Sequence, residues 1–249
     1  MAFTVKRFAP LKRGAVNSAN LPELKGVVFD MDGTLCEPQT YMFGEMRDAL
    51  GITKAVDILE HVESLSPADR ETALEAIRAI ERRAMASQKA QPGLTTLMSY
   101  LDERGIPKAI CTRNFDVPVR NLLGKFLAGS VFHPIITRDF RPPKPDPAGI
   151  LHIAQNWALS GTGGAGDAGA DAGADAGAEL PDATGLIMVG DSIDDITAGR
   201  RAGAATVLLV NDVNRALADH AHTDLVIESL DELVNVLEEG FQGREDANF

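Results

Sequence analysis

The chain has 249 residues, of which 45% are hydrophobic, and a formal net charge of −12 at pH 7. No window approaches the roughly 18 consecutive apolar residues that a membrane-spanning helix needs, and the acidic balance argues against nucleic acid as a partner. The two cysteines, Cys36 and Cys111, are too few for a disulfide framework. They indicate a reducing compartment, so we expect a soluble, cytoplasmic protein without a membrane partner.

Residues 1–23 precede the first strand pattern and contain four basic residues before the first acidic one, Glu23. This composition would allow a weak mitochondrial presequence, but Pro10 and Gly14 interrupt any amphipathic helix. We therefore interpret this segment as a solvated N-terminal arm that lies on the domain. At the other end, residues 241–249 are interpreted as a C-terminal tail.

Short, β-branched apolar runs alternate with helical patterns along most of the chain. Several runs are apolar at consecutive positions, as in strands that are buried on both faces. The pattern predicts an α/β fold, a Rossmann-like doubly wound parallel sheet with helices on both sides. The predicted strands are 26–29, 106–111, 132–137, 186–189, 205–210 and 224–227. The predicted helices are 94–104, 117–127, 148–158, 193–202 and 230–239.

The segment 38–91 interrupts this alternation, because it contains helical patterns and no strand pattern. Ser66, Pro67 and Asp69 supply a cap residue, a first-position proline and a first-turn acid, which are typical of a helix start. We predict a small α-helical cap inserted into an α/β core, with its two ends close together. The predicted cap helices are 40–50, 55–64 and 67–87, and the core comprises 24–37 and 92–240.

Residues 160–185 consist largely of Asp, Gly and Ala in repeats. Such a segment buries too little apolar surface to offset the entropy lost on ordering. We predict a disordered loop insertion between a helix and the next strand, without a function of its own.

Two aspartates, Asp30 and Asp32, directly follow the buried run of the first strand, where an unpaired carboxylate is costly. Residues two apart in an extended chain point the same way, and ligands of open parallel sheets bind beyond the carboxyl ends of the strands. One carboxylate suits a nucleophile and the other a proton shuttle, since adjacent like charges raise one pKa. A calcium loop is excluded, because its required Gly and Glu positions hold Leu35 and Tyr41.

Later strands also end in polar residues. Thr112, Arg113 and Asn114 follow the second predicted strand, and Lys144 lies in a proline-rich stretch after the third. After the fourth strand, residues 190–195 read GDSIDD. A hydroxyl, a fixed cation and hard oxygen ligands are what phosphoryl transfer with Mg²⁺ requires.

In this order the motifs resemble those of the haloacid dehalogenase superfamily, in particular its helical-capped, magnesium-dependent, phosphoglycolate-phosphatase-like branch. DMDGT at 30–34 is similar to the first motif, Thr112 to the second, Lys144 to the third and GDSIDD at 190–195 to the fourth. The resemblance covers roughly residues 24–239, and the cap segment lies where many members carry a helical cap. The second aspartate argues against a true dehalogenase.

The resemblance implies a role for each motif residue. Asp30 attacks phosphorus and forms an aspartyl-phosphate, while Asp32 protonates the leaving oxygen and then activates water. Thr112 hydrogen-bonds the phosphoryl group, Lys144 offsets its charge and Gly33 shapes the phosphate loop. Arg113 and Asn114 directly follow Thr112, so they either bind the phosphate or substrate, or lie at the surface or bond within the loop. The implied cofactor is Mg²⁺, held or supported by Asp30, the backbone carbonyl of Asp32, Asp191 and Asp195. Asp195 supports either the waters of the metal or Lys144, and Asp194 either contributes to the site or caps the following helix.

The expected function is a Mg²⁺-dependent phosphatase for a small phosphorylated metabolite. Two alternatives stay open, a phosphomutase of the same superfamily and a catalytically idle binding module. Tyr41 and Arg47, at the start of the cap, are candidates for contact with the substrate. The residues do not choose among sugar phosphates, phosphoglycolate and nucleotides.

Overall fold

The computed structural model describes residues 5–160 and 182–244. Its strands are β1 (Gly26–Phe29), β2 (Lys108–Cys111), β3 (Ile135–Ile136), β4 (Leu186–Gly190), β5 (Ala205–Leu209) and β6 (Leu225–Ile227). The helices are α1 (Tyr41–Leu50), α2 (Ile58–Ser64), α3 (Pro67–Ser87), α4 (Leu94–Glu103), α5 (Asp116–Phe126), α6 (Ala148–Ser160), α7 (Ile193–Ala202) and α8 (Glu232–Glu239).

The described strands form one six-stranded sheet in the order β3-β2-β1-β4-β5-β6. Every neighbouring pair is parallel, with β1 between β2 and β4. Val27 and Phe29 point to one face, where α4, α5 and α8 pack, whereas Val28 points to the other face, with α6 and α7. Because helices cover both faces, every position of β1 is buried, and the predicted doubly wound α/β fold is confirmed.

The third strand is shorter than predicted. It comprises only Ile135–Ile136, whereas the apolar run suggested 132–137. Pro134 has no N–H to donate to a ladder, although its carbonyl accepts a hydrogen bond from the N–H of Ile110 at 3.3 Å. Pro107 limits β2 in the same way, so that β2 begins at Lys108 rather than at the predicted residue 106.

The described parts of the two termini pack together on the core, so the N-terminal arm lies on the domain, although Phe8 and Phe241 are buried rather than solvated. The N–H of Phe8 donates to the carbonyl of Phe241 at 3.0 Å, and that of Gly243 donates to the carbonyl of Lys6 at 2.7 Å. Both phenylalanines belong to the main core, although residues 12–20 are exposed. Single aromatic residues in polar flanks produce no periodic pattern, so the sequence did not reveal this contact.

Helices α1, α2 and α3 form the inserted cap. They enclose a hydrophobic cluster separate from the sheet, built from Met46, Val62, Ala73, Ile77 and Ile80. Ser66 caps α3 as predicted, since its Oγ accepts from the N–H of Asp69 at 3.3 Å.

The two linkers of the cap run side by side. The N–H of Glu37 donates to the carbonyl of Lys89 at 3.0 Å, and the N–H of Gln91 donates to the carbonyl of Leu35 at 3.2 Å. These bonds join the chain entering the cap to the chain leaving it. The cap is therefore attached to the core next to the turn that carries the two aspartates.

Most of the Asp/Gly/Ala segment, residues 161–181, lies outside the described residues. Residues 182–185, which the prediction included in that loop, contact α7: Ala183 is fully buried, and its N–H donates to the carbonyl of Ala202 at 3.3 Å. In the described ranges no helix is long and apolar enough to cross a membrane.

Two helical glycines provide a matched test of how closely α7 approaches the sheet. A Cβ on Gly199 would lie 2.8 Å from Met188 Cβ and Thr206 Cγ2, whereas one on the exposed Gly44 of α1 would meet nothing within 4 Å. We expect Gly199→Ala to lower the free energy of unfolding by about 1–3 kcal/mol, because the helix must shift. Gly44→Ala should raise it by roughly 0.5–1 kcal/mol through helix propensity.

Urea denaturation followed by circular dichroism measures both changes. A Gly199→Ala protein as stable as the wild type would contradict the close contact between α7 and the sheet.

Candidate active site

The turn after β1 carries the first part of the site. The N–H of Asp30 donates to the carbonyl of Val189 at 3.0 Å, which continues the pairing of β1 with β4. Gly33 has φ +87°, a left-handed conformation that favours glycine. A Cβ there would also lie 2.2 Å from Asp191 Oδ2. Glycine at this position therefore lets the turn form and lets Asp191 approach it.

Lys144 joins two carboxylates that come from different strand ends. Its Nζ donates to Asp30 Oδ1 at 2.7 Å and to Asp195 Oδ1 at 2.5 Å, and the lysine is only 5% exposed. Burial alone would lower the pKa of Lys144, but Asp195 and Asp30 outweigh it and raise that pKa above its ordinary value. Lys144 is therefore a fixed positive charge beside Asp30.

Asp30 itself is subject to opposing effects. The net result is a pKa raised to about 6. Burial makes the largest contribution to the rise and the charge of Asp195 adds to it, whereas the positive charge and hydrogen bond of Lys144 lower the pKa. The carboxylate form of Asp30 therefore depends on its cation partner.

Both carboxylate oxygens of Asp195 accept hydrogen bonds from other groups of the protein. One accepts from Lys144, and the other accepts from the N–H of Ser192 at 3.0 Å and its Oγ at 2.7 Å. Together with the bond from the N–H of Asp195 to Ser192 Oγ, this is a capping box at the start of α7. Of the two predicted roles for Asp195, the geometry favours the support of Lys144. The capping role considered for Asp194 falls to Ser192 and Asp195.

Asp191 lies where negative charges crowd. Burial raises its pKa to about 8, and repulsion from Asp195, Asp30 and Asp32 contributes to the rise. The amide of Asn211 donates to its Oδ2 at 3.2 Å. Asn214 donates to the carbonyl of Asp191 at 2.7 Å.

Asn211 and Asn214 are not among the site residues predicted from the sequence. Both follow β5, and the N–H of Asn211 donates to Asn214 Oδ1 at 2.7 Å. The signal was the same as at the other strand ends, a polar cluster (NDVN) directly after an apolar run.

Asp32 lies in a different environment from Asp30. Its Oδ1 accepts from the N–H of Gln39 at 3.1 Å, with the Cys36 thiol at 3.9 Å. Burial raises its pKa, and the hydrogen bond from Gln39 opposes that rise. Within residues 5–160 and 182–244 no lysine or arginine forms an ion pair with Asp32. This is the environment of a carboxyl group that can hold a proton.

The predicted phosphate-binding residues after β2 divide into two groups. Thr112 is buried, its N–H donates to the carbonyl of Ile136 at 2.9 Å, and its Oγ1 accepts from the backbone and side-chain amides of Asn114 at 3.2 and 3.4 Å. Arg113 instead has a side chain 64% exposed, and it pairs with Asp194 at 2.6 Å. The structure therefore brings Asn114 to Thr112 and ties Arg113 to the surface of α7.

Three further buried side chains near the site carry a hydroxyl or a thiol group, namely Thr34, Cys36 and Cys111. Thr34 Oγ1 is buried without a hydrogen-bond partner in the described part of the chain, the kind of group that a bound anion or water satisfies. Burial raises the pKa of Cys36 to about 12 and that of Cys111 to about 11, so neither thiol is a nucleophile at neutral pH.

The two cap residues considered for substrate contact form bonds within the cap. The hydroxyl of Tyr41 lies 3.1 Å from Ser87 Oγ, and Arg47 donates to the carbonyl of Phe43 at 3.2 Å. Their predicted contact with the substrate stays a prediction.

The donor set fits a hard divalent cation. Carboxylate oxygens of Asp30, Asp191 and Asp195 lie within 4.8 Å of one another, and oxygen ligands are those that Mg²⁺ prefers. The raised pKa of Asp191 supports this fit, because the crowded carboxylates favour a proton there unless a cation replaces it. Since Asp195 is occupied by Lys144 and Ser192, Asp30 and Asp191 are the side chains that would hold the ion.

The crowding at Asp191 predicts a pH-dependent stability. Because its folded-state pKa is raised from 3.8 to about 8, its contribution to stability is fully present below the ordinary value and is lost progressively as pH rises through about 8. In EDTA at pH 8, Asp191→Asn should therefore unfold at a higher temperature than the wild type, by ~2–4 °C for each kcal/mol of destabilisation removed. At pH 5 the difference should be clearly smaller.

Thermal unfolding at both pH values, with and without Mg²⁺, measures these effects. Mg²⁺ should stabilise the wild type but not Asp191→Asn, and Asp219→Asn, whose side chain is 99% exposed, serves as the control. An Asp191→Asn protein less stable than the wild type in EDTA at pH 8 would contradict the charge crowding.

Known proteins of similar sequence include an uncharacterised hydrolase of Saccharomyces cerevisiae. It is 39% identical over 224 residues, which cover 88% of this chain and 93% of that protein. A haloacid dehalogenase-like hydrolase domain-containing protein of Arabidopsis thaliana is 32% identical over 247 residues, or 91% of each chain.

Solved structures share the fold at lower identity. A predicted phosphoglycolate phosphatase from Haemophilus somnus has a TM-score of 0.65 at 16% identity, covering 86% of this chain and 97% of that chain. CbbY from Rhodobacter sphaeroides, in complex with phosphate, has a TM-score of 0.60 at 19% identity, covering 84% and 96%. At these identities the likeness shows the fold alone.

The family model of haloacid dehalogenase-like hydrolases matches residues 24–203, which include all four motifs. The sheet order, the inserted cap and the carboxylates at the strand ends agree with that match. The resemblance predicted from the motifs is confirmed: the chain belongs to the haloacid dehalogenase-like hydrolases.

Proposed function

We propose that this hydrolase is a Mg²⁺-dependent phosphomonoesterase that passes the phosphoryl group of a small metabolite to Asp30 and then to water. One observation carries the proposal, the different partners of the two aspartates. Asp30 is held by the fixed charge of Lys144 at 2.7 Å, whereas Asp32 forms no ion pair within the described ranges. Asp30 is thus kept as a carboxylate, whereas Asp32 is suited to hold a proton.

In the first step, an oxygen of Asp30 forms a bond to phosphorus while the bond between phosphorus and the ester oxygen breaks. The leaving oxygen takes the proton of Asp32, so the alcohol departs neutral and Asp32 becomes a carboxylate. Lys144 stays beside the reacting oxygen and offsets the negative charge. Thr112 and Asn114 supply donors for the non-bridging oxygens.

In the second step, the Asp32 carboxylate removes a proton from a water molecule. That water forms a new bond to phosphorus as the bond to Asp30 breaks, which releases inorganic phosphate and restores both aspartates. Asp30 and Asp191 would hold Mg²⁺, with the carbonyl of Asp32 as a further proposed ligand. When bound, the ion supplies positive charge for the phosphoryl oxygens.

The proposal of a small substrate depends on the cap. The helices α1 to α3 are attached beside the aspartate turn through the paired linkers, a position from which a cap can enclose a small substrate and exclude water. The names of two solved structures of the same fold, a predicted phosphoglycolate phosphatase and a protein in complex with phosphate, support the same substrate class.

The test is phosphate release from a panel of phosphorylated metabolites, with Mg²⁺ and with EDTA. We expect Asp30→Asn to lower kcat by more than about 10³-fold, since removal of a nucleophile leaves only binding and electrostatic effects. In Asp32→Asn, hydrolysis of the intermediate should slow, so that a hydroxylamine-sensitive phosphoryl adduct accumulates on the protein.

The isosteric change Asp219→Asn at an exposed site is the control and should leave kcat unchanged. Turnover retained in Asp30→Asn would reject the nucleophile. Transfer of phosphate between two positions of a sugar bisphosphate, without release, would instead support a mutase.

A further inference from the structure

Gln39, just before the first cap helix, contacts both Asp32 and the cap. Its backbone N–H donates to Asp32 Oδ1 at 3.1 Å, and its side-chain Nε2 donates to the carbonyl of Ala84 at 2.7 Å. Ala84 is a buried residue near the end of α3, and Gln39 itself is 8% exposed. One buried residue thus joins a cap helix to a carboxylate of the site. Cys36 makes a second, longer connection, because its Sγ lies 3.9 Å from Asp32 Oδ1 and accepts from Nε2 of Gln88, the C-cap residue of α3, at 3.4 Å.

The other neighbouring contacts do not reach Asp32. Glu37 and Gln91 donate to backbone carbonyls of the opposite linker. On the other side, Lys125 of α5 donates to the carbonyls of Ala86 and Gln88 at 3.0 and 2.7 Å, and so holds the second linker to the core. These bonds fix where the cap is attached, but none of them involves the carboxylate of Asp32.

We infer that Gln39 is a positioning residue: its side-chain bond to α3 aims its backbone N–H at Asp32 and so orients that carboxyl group for proton transfer when the cap is seated. This inference rests on the proposed function, because the benefit of a fixed Asp32 is proton donation to the leaving oxygen. It assigns to the cap a role in the chemistry besides enclosure of the substrate.

The hydrogen bond from Gln39 limits the rotation of the Asp32 carboxylate. Asp32 has no ion pair in the described ranges, so the hydrogen bond from Gln39 is a main restraint on its carboxylate. Residues 38–40 lie between the turn and α1 outside any helix or strand, with the Gln39 carbonyl accepting from the N–H of Met42 at 3.1 Å. Loss of the bond to Ala84 frees this segment, and a misplacement of about 1 Å can cost on the order of 10²-fold in rate.

A comparison of substrates with different leaving groups distinguishes a positioning role of Gln39 from a purely structural one. A p-nitrophenyl phosphate leaves readily without a proton, whereas an alkyl phosphate needs one. In Gln39→Met, which keeps the length of the side chain but removes its donor, kcat/KM for the alkyl ester should fall by about 10–100-fold, within the usual range of acid–base catalysis. The value for the aryl ester should change far less, as it should in the reference variant Asp32→Asn.

Gln39→Glu repeats the test with an isosteric side chain that cannot donate when ionised. Ser87→Ala is the matched control, because it removes the other side-chain donor to the Ala84 carbonyl, at 3.2 Å, and leaves Gln39 in place. Its ratio of alkyl to aryl kcat/KM should equal that of the wild type. Equal losses on both esters in Gln39→Met, or no loss on either, would overturn the inference.

A second measurement does not depend on turnover. Hydrogen exchange at the backbone amide of residue 39 should become at least about 10-fold faster in Gln39→Met, because local opening becomes easier, and should stay unchanged in Ser87→Ala. Unchanged protection in Gln39→Met would also overturn the inference. If the wild type released phosphate from neither ester, the proposed function would fail, and amide exchange would still decide whether Gln39 couples α3 to Asp32.

Discussion

The ammonium group of Lys144, buried between Asp30 and Asp195, is the contact on which the rest of the site depends. Its Nζ lies 2.7 Å from an oxygen of Asp30, which is 114 positions away in the chain, and 2.5 Å from an oxygen of Asp195, which is 51 positions away. Because Asp195 also caps α7, the same contact fixes the end of β1, the start of α7 and the loop that carries Lys144. Removal of one partner from such a buried pair typically costs about 3–5 kcal/mol, since a charge is left uncompensated.

The site contains more negative charge than this lysine offsets. The carboxylates of Asp30, Asp191 and Asp195 lie within 4.8 Å of one another, and Lys144 bonds to Asp30 and Asp195. Burial, together with repulsion from the neighbouring carboxylates, raises the pKa of Asp191 to about 8. The same crowding that weakens the metal-free fold creates a demand for a cation at the carboxyl edge of the sheet. On the proposed function, stability without a metal and affinity for a metal would be opposed at this edge of the sheet, a trade-off between stability and function.

The cap and the core are packed around separate hydrophobic clusters. The cap has its own hydrophobic cluster, so its surface can vary without disturbing the sheet. The two parts are not independent, however, because Gln39 bonds both to α3 and to Asp32. On the inference above, a change in how the cap sits on the core reaches the proposed acid–base group through Gln39.

The sequence alone determined the α/β fold, the inserted helices and the motif residues, because strand periodicity, turn glycines and strand-end polar groups are local patterns. It placed Asp30, Asp32, Thr112, Lys144 and Asp191 at one edge, since the ends of parallel strands meet there. Only the tertiary structure decided which ion-pair and hydrogen-bond partners these side chains have. The pairing of Lys144 with both Asp30 and Asp195, the approach of two asparagines to Asp191, and the burial of two terminal phenylalanines join residues distant in the chain. No local pattern encodes such contacts, because they arise only when packing brings separate strand ends and the two termini together.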